Sequence, residues 1–343
     1  MLPSKVVPLT VGIPVYNAMP FLPETVESLL AQTVENFEIL AIVDGATDDS
    51  LAYLQSVNDP RLKIVVQQNA GLTATLNRML REVSTPWLVR QDADDISYPN
   101  RIERLLEYIS RHPDAGMFYS LAEYYPKDSS LGLFRSTRGT PEELRALVKS
   151  GRLLSICHPS VVLNVEKTLA VGGYRTNMHV EDADLWWRMA LSHDIHCIPE
   201  VLLGFRQNAS SVSSKNLERQ MLNVLYIQYL LISTLEKRDA ESFEKVIPHL
   251  EELFPHRGFR AKVHLRSLNI ALAEKNYAKA GFAFFKAVFA SPGYFFGRLR
   301  DEFLPGVITN GVDPKLFQQR KEQLWPKKAG TADQLHNNFV LER

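Results

Sequence analysis

The chain has 343 residues, enough for one large domain and a smaller one. Its 39 Lys and Arg balance 39 Asp and Glu, which excludes a global field that would draw in nucleic acid or an anionic membrane. Charge-based function must therefore come from local clusters, and the two cysteines, Cys157 and Cys197, fit neither a metal-ligand spacing nor a disulfide framework.

In chain order, the apolar run over residues 9–14 predicts a strand. Apolar spacing at Phe21, Leu22, Val26, Leu29 and Leu30 predicts a helix within residues 20–32. The pattern repeats with a strand over 37–43, the turn Asp44-Gly-Ala-Thr-Asp48 and a helix over 49–57. A strand at 62–66, a loop to Gly71, a helix over 72–83 and a strand at 87–89 follow. Alternating strands and helices with short connections predict a mostly parallel sheet covered on both faces. Strand C-terminal ends then share one edge, and Pro14-Val-Tyr-Asn17, Asp44-Gly45, Asn69-Ala-Gly71 and Asp92-Ala-Asp94 should converge there as a ligand crevice.

Arg90-Gln-Asp-Ala-Asp-Asp95 places three carboxylates within four positions directly after the buried run Trp87-Leu88-Val89. Like charges this close repel, and a divalent cation shared with a phosphate-bearing ligand is the usual relief. The alternative is a solvated acidic turn in which Asp95 or Ser97 caps a helix with Pro99 in its first turn. That helix is expected over 99–111, followed by strands over 116–125 and 155–164 with a short helix over 141–149. After the turn Gly172-Gly-Tyr174, a helix starting near Glu181 carries Glu181 and Asp182 in its first turn and Leu185, Trp186, Met189 and Ala190 on one face. Acidic residues there also complement the helix dipole, which explains one carboxylate more easily than two.

Residues 195–206 predict one or two strands, and the polar stretch 207–214 a domain boundary. Beyond it, residues 217–253 and 259–290 have helical spacing, and 326–343 read as a mobile tail. The spacing of Ala280, Phe284, Ala287 and Pro292 has the look of half a tetratricopeptide repeat, but no second copy is visible. Pro3, Pro8 and Pro14 interrupt any signal-peptide layout, and no apolar stretch reaches the ~20 residues a membrane span needs.

With these motifs assembled, the first ~210 residues resemble the inverting glycosyltransferases of family 2, which have the GT-A fold, a Rossmann-like α/β arrangement. The resemblance rests on Ile13-Pro-Val-Tyr-Asn17, Ile42-Val-Asp-Gly-Ala-Thr-Asp-Asp-Ser50, Asn69-Ala-Gly71 with Asn77, and Arg90 to Asp95. Further on it includes Gly172-Gly-Tyr174, Glu181-Asp182 with Leu185-Trp-Trp-Arg188, and Phe205-Arg206 before Ser211-Val-Ser213. It implies a catalytic domain over 1–213, an α-helical C-terminal domain over 214–325 and a flexible tail over 326–343.

The resemblance also implies roles. Pro14, Tyr16, Asn17, Asp44, Asn69, Arg90 and Asp92 bind the nucleotide sugar, with Asp44 on the base. Asp94 binds Mn²⁺ or Mg²⁺ directly, and Asp92 contacts ribose or metal-bound water. Asp182 is the catalytic base, Glu181 positions or tunes it, and Trp186 and Trp187 are candidates for a sugar platform, with at least one of them in the core. The implied reaction moves one sugar, from a UDP-hexose, to a saccharide or lipid-linked acceptor in cell-surface polysaccharide assembly, in the cytoplasm or peripherally on the inner face of the plasma membrane.

Three positions depart from the family pattern: Val43-Asp44 keeps one of two common aspartates, Leu76 replaces a common arginine, and Asn208 replaces a histidine that can reach the metal. The Gln-x-x-Arg-Trp signature of processive members is absent. Phe282, Phe284, Phe285, Phe289, Tyr294, Phe295 and Phe296 lie among Lys286, Arg298 and Arg300. They are expected first as a helical core, with peripheral membrane contact as the alternative. Among other functions, a nucleotidyltransferase lacks its glycine-rich phosphate loop near residues 13–22. An EF-hand reading puts Asp92, Asp94 and Glu103 at positions 1, 3 and 12, but Ile96, Ser97 and Pro99 break the loop. A degenerate domain that only binds nucleotide sugar or glycan is the last alternative.

Overall fold

A computed structural model describes residues 9–126, 132–176, 178, 180–206, 217–253, 256–273, 276–303 and 307–326. In chain order the first half contains β1 (Leu9–Val15), α1 (Leu22–Leu30), β2 (Glu38–Asp44), α2 (Ser50–Ser56), β3 (Leu62–Gln67), α3 (Leu72–Glu82) and β4 (Trp87–Arg90). It continues with β5 (Ile96–Ser97), α4 (Arg101–Arg111), β6 (Met117–Tyr125), α5 (Pro141–Lys149), β7 (Leu153–Leu154), β8 (Val161–Asn164), α6 (Val165–Ala170), α7 (Glu181–Ser192) and β9 (Ile195–Arg206). The eight-stranded sheet runs β3-β2-β1-β4-β8-β6-β9-β5. The β3-β2-β1-β4 half is parallel as expected, whereas β8 is antiparallel to both β4 and β6, and β5 to β9, so the sheet is mixed. The 155–164 segment is a strand only over Val161–Asn164, because a 3₁₀ turn at His158–Ser160 with Pro159 precedes it.

Side-chain alternation sends the strands into two cores. Leu9, Val11, Ile13 and Val15 of β1 join Ile39, Ala41 and Val43 of β2 against Leu22, Val26 and Leu29 of α1 and Ile102, Leu105 and Ile109 of α4. On the other face Leu40, Ile42 and Leu88 meet Leu76 and Met79 of α3 and Leu185, Trp186 and Met189 of α7. Gly12 faces that side because a Cβ there would lie 2.6 Å from Met79 Sδ, so α3 lies almost on the β1 backbone.

The helical region comprises α8 (Leu217–Leu235), α9 (Phe243–Glu252), α10 (His256–Ala273), α11 (Tyr277–Ala290), α12 (Pro292–Phe303), β10 (Thr309–Asn310), α13 (Pro314–Gln319) and α14 (Lys321–Leu324). Helix α8 is apolar on two sides because it is covered on two sides. Its Ile227 and Leu231 enter the core around α7, and its Leu225, Tyr229 and Ile232 pack on Val246 and Leu250 of α9, Phe317 and Leu324. Gln228 donates to Gly151 O at 2.9 Å and to Val312 O at 2.8 Å, and accepts from Val312 N at 2.9 Å. Strand β10 pairs antiparallel with β7, joining the helical region to the segment between α5 and β8. The expected boundary near residue 214 and the tail beyond residue 326 lie outside the described residues.

Candidate active site

Strand β4 delivers Arg90 next to Gly12 of β1, and the chain then turns at Asp92–Asp95, where Asp95 N donates to Asp92 O at 3.3 Å. The turn is fixed from beneath. Gln91 Nε2 donates to the carbonyls of Asp92 and Asp95, while its Oε1 accepts from Ser97 Oγ and Arg101 Nη1. The buried Arg101 also donates to Arg90 O and Pro159 O, and burial pulls its pKa down to about 10. From the side, Arg206 donates through its backbone N to Asp95 Oδ1 and through Nε to Asp94 O, both at 2.7 Å. Its guanidinium lies over the rings of Phe21 and Tyr125 and pairs with Glu24 at 2.5 Å. Capping is therefore not the role of Asp95 or Ser97: α4 starts after Asn100, and Asp95 is tied to β9.

Asp92, Asp94 and Asp95 bring one carboxylate oxygen each to within 4.8 Å of one another. Burial, then Asp92, pushes Asp94 up to about 6, and the same two causes push Asp95 well above the carboxylate range. Asp95 Oδ2 is buried with no partner among the described residues. An all-oxygen donor set, mutual repulsion and an orphaned acceptor fit a hard divalent cation such as Mg²⁺ or Mn²⁺. Glu103 is elsewhere, accepting from Thr33 Oγ1 at 2.9 Å on α4, which removes the EF-hand reading. Asn208, the questioned third ligand, lies outside the described residues; Asp95, counted in the sequence among the three carboxylates but given no ligand role there, belongs to the cluster.

Arg90 is buried beneath this turn. Its Nη2 donates to Asp92 Oδ1 at 2.6 Å, and its Nε and Nη1 have no partner among the described residues. Burial works against its charge, but Asp92, Tyr174 and Asp95 outweigh that and leave its pKa above the ordinary value. Its field also reaches Glu181 and Asp182 in the first turn of α7, which have no side-chain cap residue before them. Burial, then Asp182, raises Glu181 to about 7. Burial raises Asp182 to about 6, against hydrogen bonds from the N–H of Ala183 and its own N–H. His158 Nε2 lies 2.9 Å from Tyr174 Oη, and burial, then Arg90, holds the imidazole neutral. The Tyr174 turn is itself docked by Asn77, whose amide pairs with both Tyr174 O and Tyr174 N.

Among the residues expected to bind the nucleotide sugar, Pro14 is half-buried and Tyr16, Asn17 and Asn69 are exposed on loops after β1 and β3. Asn17, at φ 46°, accepts from Thr47 N at 2.8 Å, which ties the first loop to the second. Gly45, at φ 67°, lets the third loop approach: a Cβ there would lie 2.6 Å from Asn69 N. Asp44 departs from the expected base contact. It is buried and its carboxylate accepts from Gln67 Nε2, Ala70 N and Gly71 N, so it shapes the loop. The tryptophan platform is also corrected, because Trp186 and Trp187 are 1% and 3% exposed and belong to the core.

Residues missed in the sequence are Arg101, Glu24 and His158, which reach Pro159, Arg206 and Tyr174 across the fold. Arg206 and Gln91 were inside quoted motifs, the only signal they gave.

Residues 10–166 match the family model described as Glycosyl transferase family 2. The amylovoran biosynthesis glycosyltransferase AmsE of Erwinia amylovora is 27% identical over 199 residues, which cover 57% of this chain and 73% of that protein. Among solved structures, S. aureus TarS 1-349 in complex with UDP-GlcNAc superposes with a TM-score of 0.56 at 15% identity, over 89% of this chain and 99% of that one. Mannosyltransferase PcManGT from Pyrobaculum calidifontis in complex with GDP-Man and Mn²⁺ gives 0.50 at 16%, over 93% and 88%. Likeness at these identities speaks for the fold, and the motif-bearing region speaks for the family. Residues 10–166 of this chain are a glycosyltransferase family 2 domain built on the GT-A fold.

Proposed function

We propose that the protein is an inverting, metal-dependent glycosyltransferase that moves one sugar from a nucleoside diphosphate sugar, a UDP-hexose, to a hydroxyl of a saccharide or lipid-linked acceptor in cell-surface polysaccharide assembly. The observation that carries this reading is one buried guanidinium, Arg90, hydrogen-bonded to Asp92 of the Asp92–Asp95 turn and within electrostatic reach of Glu181 and Asp182. Asp94 and Asp92, with Asp95 beside them, would hold Mn²⁺ or Mg²⁺. When bound, that ion supplies positive charge against the departing diphosphate.

The chain's own groups do the rest. Tyr16, Asn17 and Asn69 are the exposed groups for the nucleoside, and Asp44 supports them by fixing the loop that ends at Gly71. Asp182 accepts the proton of the acceptor hydroxyl as that oxygen bonds to the anomeric carbon and the carbon–oxygen bond to the diphosphate breaks. One displacement inverts the configuration. A pKa near 6 suits a base working at neutral pH, and Glu181, raised to about 7, stays partly protonated there, which limits the second negative charge beside it. Binding UDP-GlcNAc and GDP-Man, as the two solved relatives do, supports a nucleotide sugar in general.

The test is calorimetric titration of UDP, GDP and dTDP with Mn²⁺, Mg²⁺ or chelator, alongside two variants. UDP is expected to bind only with metal. Asp94→Ala should weaken that binding, while Asp182→Asn should preserve it and abolish transfer. Transfer by Asp182→Asn at the parent rate would remove the base assignment, and absence of binding for every nucleotide would leave a degenerate domain.

A further inference from the structure

Helix α11 is built inside out. Ala280, Ala283 and Ala287 are its buried stripe, and on the opposite face stand Phe282, Phe285 and Phe289, at 63%, 60% and 82% exposure. At 100° per residue these two stripes point about 180° apart, the reverse of a helix that places its large apolar residues in a core. The rings continue sideways through edge-to-face contacts from Phe285 to Phe284, Phe284 to Phe295 and Phe295 to Phe296, and Phe296 is again exposed. Of the expected helical core, Phe295 is buried with the alanines, whereas Phe282, Phe284, Phe285, Phe289 and Phe296 face outward. A contiguous exposed apolar patch of this kind marks a contact surface.

The charge around it states the partner. Residues 256–290 carry seven Lys and Arg against Glu274 alone, in a chain whose formal charges cancel only over its whole length. Arg257, Arg260, Lys262, Lys279 and Lys286 are exposed, and the Lys286 amine sits 4.2 Å from the centre of the Phe282 ring, within the apolar face itself. His264 is held below its ordinary pKa by burial, Lys286 and Arg260, which places these groups close together across α10 and α11. A second copy meeting this face with its own would set like charges against each other, whereas an anionic lipid surface neutralises them and accepts the rings. No helix among the described residues is long and apolar enough to cross a membrane.

We propose that α11, with the start of α12 and the basic residues of α10, is a peripheral docking surface for anionic phospholipid. The phenylalanines enter the acyl boundary and the lysines and arginines meet the headgroups. The proposal stands apart from the donor chemistry and does not depend on it.

The experiment is flotation of the full chain with vesicles of phosphatidylcholine alone or mixed with phosphatidylglycerol, at low and high salt. The parent is expected to float with the anionic vesicles, to be released by salt and to ignore phosphatidylcholine. A Phe282→Ser, Phe285→Ser, Phe289→Ser variant should lose binding at least about tenfold, and so should Arg260→Glu with Lys286→Glu. Both should keep the parent's circular dichroism and nucleotide binding, since they alter only outward positions. No flotation of the parent at low salt, or equal flotation of the serine variant, overturns the proposal. So does light scattering that shows a dimer lost in the serine variant without any vesicle binding, which would assign the face to a second copy.

Discussion

Glu181 and Asp182 are adjacent in sequence yet are proposed for different tasks, and their surroundings separate them. Asp182 gains the N–H groups of the first turn of α7 and settles near 6; Glu181 lacks that compensation from Ala183 and rises to about 7. A base that must be ionised to work loses activity as pH falls through its own pKa. The turnover rate should therefore drop tenfold per pH unit below about 6 and be flat above it, as read from a pH–rate profile. Stability follows the opposite sense for Glu181. Its folded pKa lies above the ordinary 4.5, so its ionisation costs nothing at low pH and an increasing amount as pH rises towards 7. Glu181→Gln should add about 1–2 kcal/mol at about pH 8 and almost nothing near pH 4, measured by urea denaturation. The acidic residues were legible because consecutive carboxylates advertise themselves, and so was the position of Glu181 and Asp182 at the start of a helix beside two tryptophans. Arg101 and His158 were not, because a lone basic residue gives no sign that Pro159 or Tyr174 will be its neighbour. Nor could spacing tell that Trp186 and Trp187 would both turn inward, since a helix with three apolar sides looks the same whether one side is a platform or not.

At the scale of elements, the site depends on how the turn before α7 is anchored. Arg188 donates to Val171 O and Gly173 O while pairing with the fully buried Asp184 at 2.7 Å, so one helix position holds the turn that carries Tyr174. Asp184→Ala would leave that guanidinium buried and unpaired, and about 3–5 kcal/mol of stability should be lost. Gly173 adopts φ 60° with Asn77 Oδ1 2.8 Å from where a Cβ would be, so Gly173→Ala should loosen the same turn and reduce transfer more than nucleotide binding. Paired activity and calorimetric measurements separate the two effects. Strands β1 to β4 and helices α3, α4, α5 and α7 were readable from their periods to within two residues, because each buries one face against the sheet. Strands β5, β7 and β10 have two residues each, too few for any period, and exist only through their partners β9 and β7. The mixed half of the sheet was unreadable for the same reason: direction is set by connections, which side-chain alternation does not record.

For the whole molecule, Gln228 is a buried polar link between the sheet domain and the helical region, with three hydrogen bonds to Gly151 and Val312. Gln228→Leu keeps the volume but strands those carbonyls, and should cost about 2–3 kcal/mol in urea denaturation. The helical character of residues 217–290 was visible in the sequence, but the outward turn of the phenylalanines was not, since apolar residues on both sides of a helix do not say which side is covered. That turn also sorts the charge. The α10–α11 hairpin holds a surplus of six positive charges in a chain whose formal charge is zero, so the remainder is six negative. A molecule of this kind has no net repulsion to keep its copies apart, but strong attraction between unlike ends. Its solubility should pass through a minimum at neutral pH and low ionic strength and rise as salt is added, so that a purified sample clouds on dialysis into dilute buffer and clears again when the ions are restored.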